Sequence, residues 1–125
     1  MTPPTMPAWN LTLRFGLEVA ALTGLAAAAW KLGSGPSRWI AVVIVPVTAA
    51  IIWGVFNVLD DPSRSGAAPV EVNGWIRLGI ELAVLGGGAA AVAYTVRPEL
   101  GMILALAIGG HYLTSVDRMQ WLIQA

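Results

Sequence analysis

Residues 13–22 read LRFGLEVAAL and residues 76–85 read IRLGIELAVL. Each sets an arginine four residues before a glutamate (Arg14 and Glu18, Arg77 and Glu81) inside a long apolar run. The chain around them is 57% hydrophobic and only 11% charged, against about 25% charged in a soluble domain. Such a composition points to lipid, where an ionisable side chain is costly and must find a partner.

Working outward, the repeat is longer than the charged pairs. Asn10, Arg14, Gly16, Glu18, Ala20, Leu22, Gly24 and Ala26–Ala28 recur as Asn73, Arg77, Gly79, Glu81, Ala83, Leu85, Gly87 and Ala89–Ala91, ten identities in nineteen positions. Four apolar stretches approach or exceed the ~20 residues needed to cross a bilayer. The reading is an all-α membrane protein of four transmembrane helices, about 10–31, 38–59, 74–95 and 99–122, built as two repeated helix hairpins. Residues 1–125 form one transmembrane domain on this reading. Two hairpins repeated in the same direction imply a pseudo-twofold axis along the membrane normal. The repeated glycines and alanines also suit close helix packing.

The leader MTPPTMPAW has no Lys or Arg, unlike the basic start of a signal peptide, so the first stretch is expected to be retained. Cysteine is absent and the net charge is zero; neither disulfides nor nucleic acid binding is expected. An even number of crossings puts both termini on one side of a bacterial cytoplasmic (inner) membrane. Arg14, Arg64, Arg77 and Arg118 against Lys31, Arg38 and Arg97 barely engages the positive-inside rule, and the termini are placed in the cytoplasm.

Helical spacing then shows which side chains share a face. Asn10, Arg14 and Glu18 fall at i, i+4 and i+8, as do Asn73, Arg77 and Glu81. Trp53, Phe56, Asn57 and Asp60 form a stripe at the end of the second helix. His111, Thr114, Ser115 and Arg118 form another on the fourth, flanked by Tyr112 and Asp117. All four stripes enter the same half of the bundle. Each has a plain structural reading: register-fixing ion pairs, a core histidine, packing aromatics and a solvated Asp60–Asp61 helix end. Their coincidence favours a functional one.

No phosphate loop, nucleophile elbow or HExxH motif is present, and a single histidine makes a metal site unexpected. Carboxylates beside aromatic rings suit two tasks. One is proton-coupled transport of an amphipathic cation. The other is acid catalysis, in which a protonated carboxyl donates to an alkene and ring faces stabilise the carbocation. Adjacent carboxylates resist double ionisation, which favours Asp60 as the proton store.

The motifs RFGLEVAAL, RW…P…WGVF (Arg38, Trp39, Pro46, Trp53–Phe56) and R-x3-E at Arg77–Glu81 resemble the YrdB-like family of small four-helix bacterial membrane proteins. The chain also resembles integral-membrane terpene cyclases of drimentine-type diketopiperazine–terpenoid biosynthesis. That resemblance implies metal-free, cofactor-free, protonation-initiated cyclisation of a farnesyl chain on an indole/diketopiperazine substrate. The polar stripes, not the resemblance, supply the candidate acids, Asp60, Glu18 and Glu81, with Asp117 and His111 as relays or final bases. Trp53, Phe56 and Tyr112 line the cation path. Arg14, Arg77, Asn10, Asn57 and Asn73 orient the acids or hold the polar head. The expected partners are membrane lipid and the hydrophobic prenylated substrate, with homo-oligomerisation left open. A proton-coupled transporter and a structural protein without catalysis are the alternatives.

Overall fold

The computed structural model describes residues 2–125. Helix α1 spans Ala8–Leu32, α2 Gly35–Val55, α3 Gly74–Thr95, α4 Pro98–Leu113 and α5 Val116–Gln124. Two short parallel strands, β1 (Phe56–Asn57) and β2 (Val70–Glu71), sit in the connection between α2 and α3. Helices α1, α2 and α3 are long and apolar enough to cross a membrane, and α4 with α5 makes a fourth only if this bent pair is one span.

Surface and core are distributed as lipid solvent requires. Trp39, Ile40, Val43, Ile44 and Ile51 of α2 are exposed, and Trp53 is the only residue of α2 that is buried. Pro46 sits inside this helix, a substitution membrane helices tolerate when neighbours re-satisfy the freed carbonyl. One apolar cluster, including Leu17, Ala21, Trp53, Leu85 and Ile108, fills the middle of the bundle. A second, Val58, Leu78, Trp121 and Leu122, closes the end carrying the termini.

The two repeated helices lie against each other at small residues. A Cβ added to Gly88 would overlap the backbone of Ala21, and one at Gly24 would meet the Gly88 carbonyl and Val92. In lipid, where apolar burial gives no preference for a neighbouring helix, this close backbone approach supplies the packing.

Two expected boundaries differ. The second helix stops at Val55 rather than near residue 59, because its last carbonyls are taken by side chains. Arg77 Nη1 donates to Trp53 O (2.6 Å) and Phe56 O (2.8 Å). Asn57 Nδ2 donates to Gly54 O (2.6 Å). A guanidinium at a helix C-terminus satisfies orphan carbonyls and complements the helix dipole. The fourth helix is not continuous to residue 122. The Ser115 hydroxyl donates to His111 O (2.7 Å), and Thr114 Oγ1 lies within bonding distance of the Gly110 and His111 carbonyls (2.9 and 3.0 Å). Such back-bonding competes with the helical ladder, and α5 turns 73° away from α4. The bend carries α5 across the mouth of the bundle, where Gly74 packs directly against the Leu122 carbonyl.

Candidate functional site: a buried guanidinium–carboxylate network

Glu81, on the inner face of α3, is fully buried and forms the hub. Its Oε1 accepts from Arg14 Nη2 (2.7 Å), Arg77 Nε (3.0 Å) and Arg118 Nη2 (2.5 Å). Its Oε2 accepts from Arg118 Nη1 (3.1 Å) and the Tyr112 hydroxyl (2.8 Å). Charge-assisted bonds of this kind are about twice as strong as neutral ones, and the low local dielectric makes each of them matter more.

A second carboxylate shares this load. Asp61 is buried and bound by Arg118 on both oxygens, Nε to Oδ1 (2.8 Å) and Nη2 to Oδ2 (2.6 Å). Its Oδ1 also accepts from the Ser63 backbone N–H (2.9 Å) and hydroxyl (2.8 Å). Burial alone would raise the Asp61 pKa, but the Arg118 hydrogen bond and charge, with the Ser63 N–H, outweigh it and hold the pKa below its usual value.

Around this centre, Arg14 Nη1 lies 3.2 Å from His111 Nε2. A guanidinium can only donate, so His111 is neutral with its proton on Nδ1. That nitrogen, Arg77 Nη2 and Asn10 Oδ1 have no hydrogen-bond partner among the described residues. Trp53 packs against two cations, with its ring centroid 5.1 Å from the Arg14 guanidinium and 4.8 Å from that of Arg77.

Glu18 is placed differently from its repeat counterpart. It is 21% exposed and reaches Arg14 at 3.5 Å and Arg64, from the α2–α3 connection, at 3.8 Å. It borders two spaces. One, about 160 Å³, is lined by Leu22, Ala50, Trp53, Val84 and Arg64. The other, about 400 Å³, opens between α1 and the loop residues Pro62–Ser65.

Of the residues singled out from sequence, the fold brings together Arg14, Arg77, Glu81, His111, Tyr112 and Trp53, with Glu18 at the edge. Asn10 is buried nearby and donates to Thr114 Oγ1 (2.9 Å). Asn57 and Phe56 belong to the capped end of α2, and Asn73 is the exposed N-cap of α3, its Oδ1 accepting from Ile76 N (2.9 Å). Asp117 is exposed in the first turn of α5. Asp60 lies apart from this network. It is exposed, in the left-handed region at φ 65°, and lines a groove together with Glu71 and Trp121. A stripe through Asp60 needs α2 to continue to residue 60, and it ends five residues earlier, at Val55.

Asp61 and Arg64 are members that the polar stripes of the sequence do not include, and Arg118, which lies on the fourth stripe, has no assigned role there. Asp61-Pro62-Ser63 is a side-chain-stabilised turn pattern, a signal that the aspartate points back toward the chain. Among the described residues no three His, Cys, Asp or Glu side chains are arranged to hold an ion.

The architecture and site together define a small multi-helix membrane protein with a charged network inside and an apolar surface outside. The chain belongs to the family described as a protein of unknown function, DUF2568, whose model matches residues 12–108. It is 38% identical over 114 residues to the uncharacterized protein YrdB of Bacillus subtilis (strain 168), covering 91% of this chain and 93% of that one. Neither description names an activity. No solved structure matches the chain.

Proposed function

We propose that this protein is an integral-membrane cyclase that protonates a prenyl chain carried by an indole-type substrate, with Glu18 as the acid and its resulting carboxylate taking back a proton when the final cation collapses to an alkene. The observation that carries the reading is the position of Glu18. It is the carboxylate of the cluster that borders an apolar cavity, and its ion-pair contacts are long. Glu81 and Asp61 are hydrogen-bonded on both oxygens, so moving a proton through either would dismantle the network. Taken together, the two spaces beside Glu18 fall in the ~300–1,000 Å³ range of ligand sites. Displacing Arg64 would join them. Leu22, Ala50 and Val84 would shield a carbocation from water. The Trp53 ring already faces two guanidiniums, so its contribution to cation stabilisation is small, and Arg14 orients Glu18 rather than the substrate.

The reading includes four crossings, with the bent α4–α5 pair as the last. It also reverses the orientation drawn from counting cations. Arg14, Arg77 and Arg118 are buried in the bundle, leaving Arg64 as the part-exposed cation at the end carrying the termini. Lys31 and Arg97 are exposed at the other end, beside part-exposed Arg38. By the positive-inside rule that end is cytoplasmic and the termini lie outside.

The test is turnover of a farnesylated indole by detergent-purified protein without added Mg²⁺, read by chromatography and NMR because the product is an isomer. Glu18→Gln is expected to lower turnover by ~10²-fold or more, while Asp60→Asn leaves it unchanged. No product from folded wild-type protein would exclude this reaction and leave the network as a structural brace.

A further inference from the structure

At the end of the bundle opposite Glu18, α1, α2 and the last turn of α3 enclose a groove of about 640 Å³. Ala26, Ala27 and Val42 form its floor, and Trp30, Lys31 and Arg38 its rim. No carboxylate lines it. Lys31 Nζ donates to Tyr94 O (3.0 Å) and sits 4.4 Å from the centroid of the Tyr94 ring. Arg38 donates to Gly33 O through Nε and Nη2 (3.3 and 3.0 Å) and stacks 4.8 Å from the Trp30 ring. Both cations are held in place by neutral groups and keep unused N–H donors. The ion pair at this end is Arg97–Glu99, more than two-thirds exposed.

We propose that this groove binds one anionic phospholipid, with the headgroup phosphate between Lys31 and Arg38 and an acyl chain over Ala26, Ala27 and Val42. Three observations favour a lipid over a free anion. The floor is apolar. It extends from Lys31 to Thr23, about 12 Å along the helix axis, toward the bilayer interior. Trp30 and Trp39, in edge contact at 4.8 Å, set this level at the membrane interface, where aromatic residues concentrate. Basic pockets between membrane helices suit anionic headgroups, each cation adding to the attraction. Small side chains at Ala26 and Ala27 are what leave room for the chain. The site is independent of the Glu18 reading, since it uses none of the same residues.

The experiment measures lipid retention in native mass spectra, and thermal unfolding, of the purified protein in neutral detergent. The additions are phosphatidylglycerol, phosphatidylcholine or inorganic phosphate. One phosphatidylglycerol should be retained and should raise the unfolding temperature; phosphatidylcholine and phosphate should do neither. The pair Lys31→Gln and Arg38→Gln should weaken phosphatidylglycerol binding by ~10-fold or more. Ala27→Leu, which fills the floor and keeps both charges, should weaken it too. Arg97→Gln, at the same end but outside the groove, should keep it. Equal retention of phosphatidylcholine, an equal effect of phosphate alone, unchanged binding by the Lys31/Arg38 double variant, or an equal loss in Arg97→Gln would each overturn the proposal.

Discussion

Arg118 clasps Asp61 through two guanidinium nitrogens, at 2.8 and 2.6 Å, across 57 residues of sequence. The same Nη2 reaches Glu81 at 2.5 Å. One side chain thereby fastens the α2–α3 connection and the bent α5 to the centre of α3, and this clasp closes the end of the bundle that carries the termini.

Removing one partner leaves a buried charge uncompensated, so Asp61→Asn and Arg118→Gln should each destabilise the protein by about 3–5 kcal/mol. Asp60→Asn, at an exposed neighbour, should stay within about 0.5 kcal/mol. Thermal unfolding in detergent separates the three. The Asp61 carboxyl, whose pKa is depressed in the fold from 3.8, contributes stability that is fully present above that ordinary value. The contribution is lost as pH falls through the lower folded value. Wild-type stability should therefore fall more steeply below about pH 4 than that of Asp61→Asn.

The two repeated glutamates should respond unequally to the same change. Glu81→Gln removes the anion shared by Arg14, Arg77 and Arg118 and should cost at least the ~3–5 kcal/mol of a broken buried pair. Glu18→Gln, with its long and part-exposed contacts, should cost about 1 kcal/mol or less. Yield of folded protein and unfolding midpoint both report the difference. Equal losses would show that the two glutamates carry equal structural weight.

Helix proximity predicts a second asymmetry, this time among glycines. Gly88→Leu should destabilise by at least the ~1–3 kcal/mol typical of overpacking, because Ala21 already occupies the space. Gly87→Ala, next to it and open, should be neutral or slightly stabilising through helix propensity. Denaturation midpoints of the two variants make the comparison.

Orientation can be read directly, since the chain has no cysteine. Ser37→Cys and Ser65→Cys introduce single thiols at exposed positions on opposite ends. A membrane-impermeant thiol reagent applied to intact cells should label position 65 and spare position 37. The reverse pattern would place the termini in the cytoplasm.

The opening repeat made part of this fold legible, because helical geometry is local. An apolar run with arginine and glutamate four apart puts both on one face, and in lipid that face must turn inward. Arg14, Arg77 and Glu81 follow from spacing alone. Spacing could not distinguish Glu18 from Glu81. The two sit in nearly identical local sequence, yet the bend after Leu113 delivers Arg118 and Tyr112 to Glu81, while Glu18 meets Arg64 from the loop. Nor could it show that Asp61, and not Asp60, is buried. That choice depends on where α2 stops, and α2 stops where Arg77, more than twenty residues away, captures its carbonyls. Local sequence determined the helices and their polar faces. The partner of each charge was decided by tertiary structure, because ion pairing in a low-dielectric interior depends on which distant groups the packed backbone brings within about 3 Å.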